Sequence, residues 1–414
     1  MQANCADYEE NTGENVKVKS YTTKRTWIEQ LPAPAQGGAA VEDKQPDFAT
    51  EEINRVLSDT IRAQKLIVLT GLGTSLCVKD AAAKAKAPTM SDLWNAVRDE
   101  YGGAGVAKRP TWAEVLEIAR QPEGNTNIEE LLSRCKTAEG FEQGENQTKI
   151  QRFIADAECI IRTKVDFLDP SETLPLHEGF LRKLGRRSTR RERLKLFTTN
   201  YDRCFEHAAQ RAGFVVMDGF TMAQPAIFEP MHFSYDVVRR GPNADAPDYI
   251  ENLFQLYKIH GSIDWELNET TKQIVKKEKT EKPLLIYPRN TKYELAFAQP
   301  YLEMISSFQA ALRANDTALL VIGFGFNDNH LAEPILAAIE TNLSLKVVVI
   351  SPGIEAQSAT NPHLKKIAGL IDQGDARLAM LAASFEDLVP IIPDIAAQTD
   401  FERHIERVRA VRER

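Results

Sequence analysis

Three short stretches bring chemistry-bearing residues to the ends of apolar runs. Lys65 to Ser75 reads KLIVLTGLGTS, Leu196 to Asp202 reads LFTTNYD, and Leu253 to Trp265 reads LFQLYKIHGSIDW. Each has the form of a strand that runs into small or hydrogen-bonding groups. In an open α/β sheet that place is the carboxyl end of a strand, where ligands bind. Gly71 and Gly73 let backbone N–H groups approach a phosphate without a Cβ in the way, and Thr74 and Ser75 follow them. Leu76 stands where a dinucleotide fingerprint has its third glycine, so this loop alone is equally an ordinary strand-to-helix turn. Asn200 can hold ribose hydroxyls or a water through its amide, with Thr199 beside it. Asp202 either caps the next helix or joins the ligand. His260 taken singly reads as a packed histidine. Beside two other polar strand ends it becomes a candidate acid–base group, because an ordinary histidine titrates near neutrality.

The elements that must position these residues follow from periodicity. A helix over 51–63, capped by Thr50, leads into a buried strand over 66–70. Residues 81–184 read as helical, with Ser91, Asn127 and the Thr111/Glu114 capping box as start signals. Strands then fall at 194–198, 214–217 and 253–260, with a helix over 202–211. Residues 274–287 read as two strands around the charged tip KKEKTEK. Later strands at 318–324, 346–350 and 377–381 alternate with helices, and the first of them ends in Gly323-Phe324-Gly325-Phe326-Asn327. The pattern predicts an α/β fold, a doubly wound (Rossmann-like), mostly parallel sheet with an inserted helical subdomain at about 81–190.

Residues 1–49 read as an extension with little core of its own. It is either a loose tail or an arm that anchors Trp27 and Ile28 on a neighbouring subunit. The main domain spans 50–390, and 391–414 is a charged helix. The basic run at 185–195 reads as a solvated loop, His177 as a buried histidine just before a helix, and Tyr287 to Tyr293 as a pocket mouth or an edge turn.

The chain has 414 residues, 43% of them hydrophobic and 27% charged, so a packed core is expected. Its net charge of −8 argues against direct nucleic-acid binding by this chain alone. No apolar run matches a membrane span, and the N-terminus has no signal-like core, which points to the cytoplasm. The 5 cysteines form no CxxC pair and the 7 histidines no HExxH motif, so neither a zinc ribbon nor another metal site is expected.

The ordered set GLGTS, TTNYD and KIHGSIDW resembles the sirtuin-type NAD-binding domain. Gly323 to Asn327 and Ser384-Phe385-Glu386-Asp387-Leu388 fit its later part, so the resemblance covers most of residues 55–390. It implies that Gly71, Gly73, Thr74 and Ser75 hold the NAD phosphates. Thr199, Asp202, Gly323, Gly325 and Asn327 would complete the NAD site. Asn200 would bind the nicotinamide ribose and position water, and His260 would act on the ribose as base. Protein-deacylating sirtuins carry two CxxC pairs after the histidine, and this chain has no cysteine beyond Cys204. It is thus similar to the zinc-free branch of bacterial antiphage systems, which hydrolyses NAD, and to the member encoded beside a HerA-type hexameric ATPase. The resemblance implies an NAD glycohydrolase of abortive-infection defence. NAD would be its substrate, with no other cofactor, and it would form a homo-oligomer with that ATPase as partner. A non-catalytic NAD or ADP-ribose sensor is the alternative, and a protein deacylase comes third.

Overall fold

The computed structural model describes residues 18–22, 27–29, 48–102, 109–188, 190–240, 248–280, 282–285 and 299–394. Strands β1 (Lys19–Tyr21) and β2 (Trp27–Glu29) come first, then helix α1 (Phe48–Ile61) and strand β3 (Lys65–Thr70). A helical block follows, with α2 (Met90–Gly102), α3 (Trp112–Ile118), α4 (Ile128–Phe141), α5 (Glu145–Val165) and α6 (Pro175–Leu184). Strand β4 (Leu194–Thr198), helix α7 (Cys204–Ala212) and strand β5 (Val215–Met217) return the chain to the sheet. The short strands β6 (Ala226–Ile227), β7 (Val238–Arg239) and β8 (Asp248–Tyr249) precede the longer β9 (Leu253–Lys258). Then come β10 (Gly261–Ser262), β11 (Trp265–Leu267), β12 (Ile274–Lys276) and β13 (Leu284–Leu285). The last part alternates through α8 (Tyr301–Arg313), β14 (Thr317–Ile322), α9 (Asn329–Thr341) and β15 (Lys346–Ile350). It ends with α10 (Ile354–Thr360), α11 (Pro362–Asp372), β16 (Leu378–Ala382) and α12 (Phe385–Ile391).

The central sheet runs β2-β1-β16-β15-β14-β3-β4-β9-β5. From β16 to β5 all neighbours are parallel, while β1 is antiparallel to β16 and β2 to β1. Both faces are buried, as the unbroken apolar runs require. Leu66 and Val68 point into one core with Leu196, Leu320 and Val348. Ile67 and Leu69 point into the other with Phe197, Leu319 and Val347. Burial of each such side chain stabilises the fold by roughly 1.5–3 kcal/mol. The fold is the expected doubly wound, mostly parallel α/β sheet. A third core fills the helical block, where Trp94, Val97, Val115, Leu131 and Phe153 pack together and meet Tyr201 and Ile263.

Several local expectations change. Two strands lie within the extension before residue 50, because Val18, Ser20 and Thr22 bury against the sheet edge. Trp27 stacks on Tyr21 of its own chain, with ring centres 5.1 Å apart. Thr50 and Ser91 sit inside their helices, and the Thr89 hydroxyl accepts from the Asp92 amide at the start of α2. The two strands within 274–287 do not pair with each other. β12 pairs with β11 and β6, and β13 with β10. The Asn268 side chain accepts from the Thr270 and Thr271 amides and so closes the turn between β11 and β12. The basic run is not all solvated. Arg187 is buried and donates to the carbonyls of Ile61, Ala63, Gln64 and Glu192, so it closes the carboxyl end of α1. Burial lowers its pKa to about 10. His177 lies inside α6 and is buried. Tyr287 to Tyr293 and the helix expected at the end of the chain lie outside the described residues.

Candidate active site

Connections leaving β3 lead toward β4, β9 and β5, and those leaving β14 lead toward β15 and β16. The β3/β14 boundary is therefore the topological switch point, where doubly wound sheets open a crevice. The loops after these two strands touch backbone to backbone. A Cβ on Gly73 would lie 2.6 Å from the Cα of Gly323, and one on Gly71 would lie 2.6 Å from the Gly323 carbonyl oxygen. Gly323 also has φ +62°, a conformation side chains disfavour. The Gly71 amide donates to Ile322 O, Gly73 to Gly323 O, Thr74 to Gly71 O and Ser75 to Leu72 O. These N–H groups are thus committed to the loop itself and to β14.

Asn200 follows β4. Its Nδ2 donates to Gly71 O at 3.0 Å and to Ser75 Oγ at 2.8 Å. Ser75 Oγ donates in turn to Asp202 Oδ2 at 2.6 Å, and Asp202 Oδ1 accepts from the Cys204 amide at 3.0 Å. Asp202 therefore serves as a turn acceptor ahead of α7 and as the anchor of Ser75. The amide orientation of Asn200 is fixed by chemistry, since a flipped Oδ1 would face the Gly71 carbonyl. That leaves Oδ1 as an acceptor on the cavity side.

The end of β9 is tied to the same turn. Lys258 is buried, pairs with Glu206 at 3.0 Å and donates to the carbonyls of Tyr201 and Asp202. The Ile259 amide bonds Thr198 O, and the Ile263 amide bonds Tyr201 O. These ties hold the end of β9, and with it His260, against the loop that carries Asn200. His260 Nε2 lies 3.1 Å from His330 Nε2 in the first turn of α9. Burial, then the neighbouring His330, pushes the His260 pKa well below its ordinary 6.5, so the ring is neutral at neutral pH.

One cavity of about 930 Å³ gathers these strand ends. That volume lies in the range of small-molecule and cofactor sites. Gly71, Thr199, Asn200, Asp202, His260, Gly323, Gly325 and Asn327 all line it. Gly73, Thr74 and Ser75 are not among its lining residues and sit behind the wall, holding Gly71 and Asn200 in place. The helical block roofs the cavity with Met90, Leu93, Asn127 and Glu129, among others.

Residues that sequence reasoning missed form an acidic wall. Glu129 of α4 accepts from the Tyr201 hydroxyl at 2.7 Å. Burial, with a further push from Asp328, raises its pKa to about 7. Burial also raises Asp328 to about 6. Asp328 directly follows the Gly323–Asn327 segment, so the strand-end argument extended by one residue would have found it. Glu129 has no local signal, because only tertiary packing brings the helical block over the sheet. Among the described residues no group of three or more His, Cys, Asp or Glu is placed to hold a metal ion. None of the described helices is long and apolar enough to cross a membrane.

Fold and cavity together define a doubly wound α/β protein with a cavity of small-molecule size at its switch point. The family described as SIR2-like domain matches residues 195–370. That stretch runs from β4 into α11 and carries Asn200, His260 and Asp328, so over it the chain is sirtuin-like. The Gly71 loop and the helical roof lie outside the match. No curated protein matches the chain significantly.

Proposed function

We propose that this chain hydrolyses NAD to nicotinamide and ADP-ribose. The observation that carries the reading is the meeting of Asn200 and His260 on one cavity at the switch point, within the SIR2-like match. The scissile bond joins ribose C1′ to a cationic nicotinamide nitrogen, so the leaving group is already good. The site has to orient the ribose, exclude bulk water and place one attacking water. Asn200 Oδ1, held by the two bonds from Nδ2, accepts from a ribose hydroxyl or from that water. His260, neutral through burial, accepts the proton as the C1′–O bond forms and the C1′–N bond breaks. Of the residues to which the resemblance assigns the NAD phosphates, Gly71 lines the cavity, with Gly323 and Gly325 also in its wall.

Purified protein incubated with NAD should release nicotinamide, measured by chromatography. Asn200→Ala and His260→Ala should each slow release by on the order of a hundredfold or more while the fold is retained. Parent-like rates in both variants would remove the assignment. A sensor of NAD or ADP-ribose is the second reading, and the observation favouring it is that Asn200 Nδ2 is held by the loop. Calorimetric binding of ADP-ribose with no nicotinamide release would select it. A role in antiphage defence, homo-oligomeric assembly and a HerA-type ATPase partner belong to the same proposal, and the sequence resemblance supports them. Co-purification with the adjacent gene's product and a plaque assay with the Asn200→Ala variant test them.

A further inference from the structure

We propose that His330 is a positioning residue that works through His260, taking over the proton His260 collects and releasing it into a second cavity. The inference rests on the NAD-hydrolysis reading and deepens it. At 3.1 Å between Nε2 atoms the two rings share one proton, since two lone pairs or two N–H groups would repel at that distance. The ring centres are 5.2 Å apart. His260 lines the first cavity, whereas His330 lines a neighbouring one of about 630 Å³. The two cavities share Asn127, Glu129, Asn327 and Asp328 as a common wall. The histidine pair therefore crosses that wall.

Burial opposes a lasting positive charge on either ring, so a proton collected by His260 is passed on rather than held. Tyr201, on the loop after β4, lies 6.4 Å from His260 between ring centres, and its hydroxyl is bonded to Glu129 of α4. Asp328 directly precedes α9, and Tyr301 of α8 stands 6.2 Å from His330. Arg120, Glu130 and Arg134 border the second cavity, where Arg134 pairs with Glu130. Burial holds His330 at about 4, so both rings are neutral before the reaction. In the relay, His260 Nδ1 takes the proton of the attacking water as that oxygen bonds C1′ and the C1′–N pair departs on nicotinamide. The Nε2 proton of His260 moves to Nε2 of His330, and the Nδ1 proton of His330 passes to water in the second cavity. After product leaves, water in the second cavity returns a proton to Nδ1 of His330, the shared proton moves back to Nε2 of His260, and Nδ1 of His260 gives its proton to water in the emptied first cavity, so the second cavity holds the proton only while the bond is breaking.

Full-length parent, His330→Ala, His330→Gln and His260→Ala proteins are compared for nicotinamide release. Gln keeps a hydrogen bond to His260 but cannot pass a proton. Both His330 variants should lose roughly tenfold or more in kcat, with KM for NAD within about twofold of the parent. Added imidazole should restore part of the rate in His330→Ala and none in His260→Ala. A parent-like kcat, a loss confined to KM, or absence of rescue would overturn the relay. Nitrogen-15 spectra of the His260 ring give a readout independent of turnover. Their pH response should change in His330→Gln, and an unchanged response would also overturn it. A parent that releases no nicotinamide defeats the hydrolysis reading, while the ring spectra still decide whether the two imidazoles are coupled.

Discussion

Asn200 shows how a symmetric-looking amide is made one-sided. Both of its donor bonds are taken by Gly71 and Ser75, so the amide offers only an acceptor to the cavity it lines. Glu129 carries the opposite lesson, a group whose charge the fold resists. Its pKa of about 7 in the folded chain exceeds that of an ordinary carboxyl. The folded state then binds more protons than the unfolded one between pH of about 4 and 7, so this residue's contribution falls as pH rises through that window. Glu129→Gln keeps an acceptor for Tyr201 and removes the charge. The variant should match the parent near pH 4 and exceed it above pH 7 by on the order of 1–3 kcal/mol, read from thermal melts across pH. His177 and His330, lowered to about 4, act in the other sense from about pH 4 to 6.5, and that background is common to both proteins.

At the scale of elements, the site depends on how closely two loops approach. Gly73→Ala places a methyl against the backbone of Gly323 and should push the β3 and β14 loops apart. We expect a loss of roughly 1–3 kcal/mol in stability. NAD affinity should fall with it, measured by denaturant melts and calorimetry. These elements were legible because their signals are local. β3, β4, β9 and β14 are short apolar runs bounded by polar residues, and the Thr111/Glu114 box and the Asn127 cap appear as expected. The unread parts depend on distant partners. His330 reads as an ordinary residue near a helix start until β9 brings His260 against it. The strands β1 and β2 are three residues each, and β1 pairs along the edge of β16 while β2 pairs with β1. Arg187 looked like one charge among several until its guanidinium met the end of α1.

For the whole molecule, the sheet's two margins differ. On one side β1 covers the edge of β16 through register pairs Lys19 with Ala382 and Tyr21 with Met380. Removing residues 1–47 should bare that edge, lower the melting temperature and promote self-association, followed by light scattering. The β3–β14 pairing has a consequence of another kind. Lys65 waits for Thr317 as its neighbour, and the cavity needs residues from Gly71, Asn200, His260 and Asp328 at once. Contacts so far apart form late and slowly. A chain still emerging from the ribosome therefore has no complete cavity until Asp328, late in the sheet-forming sequence, has been translated.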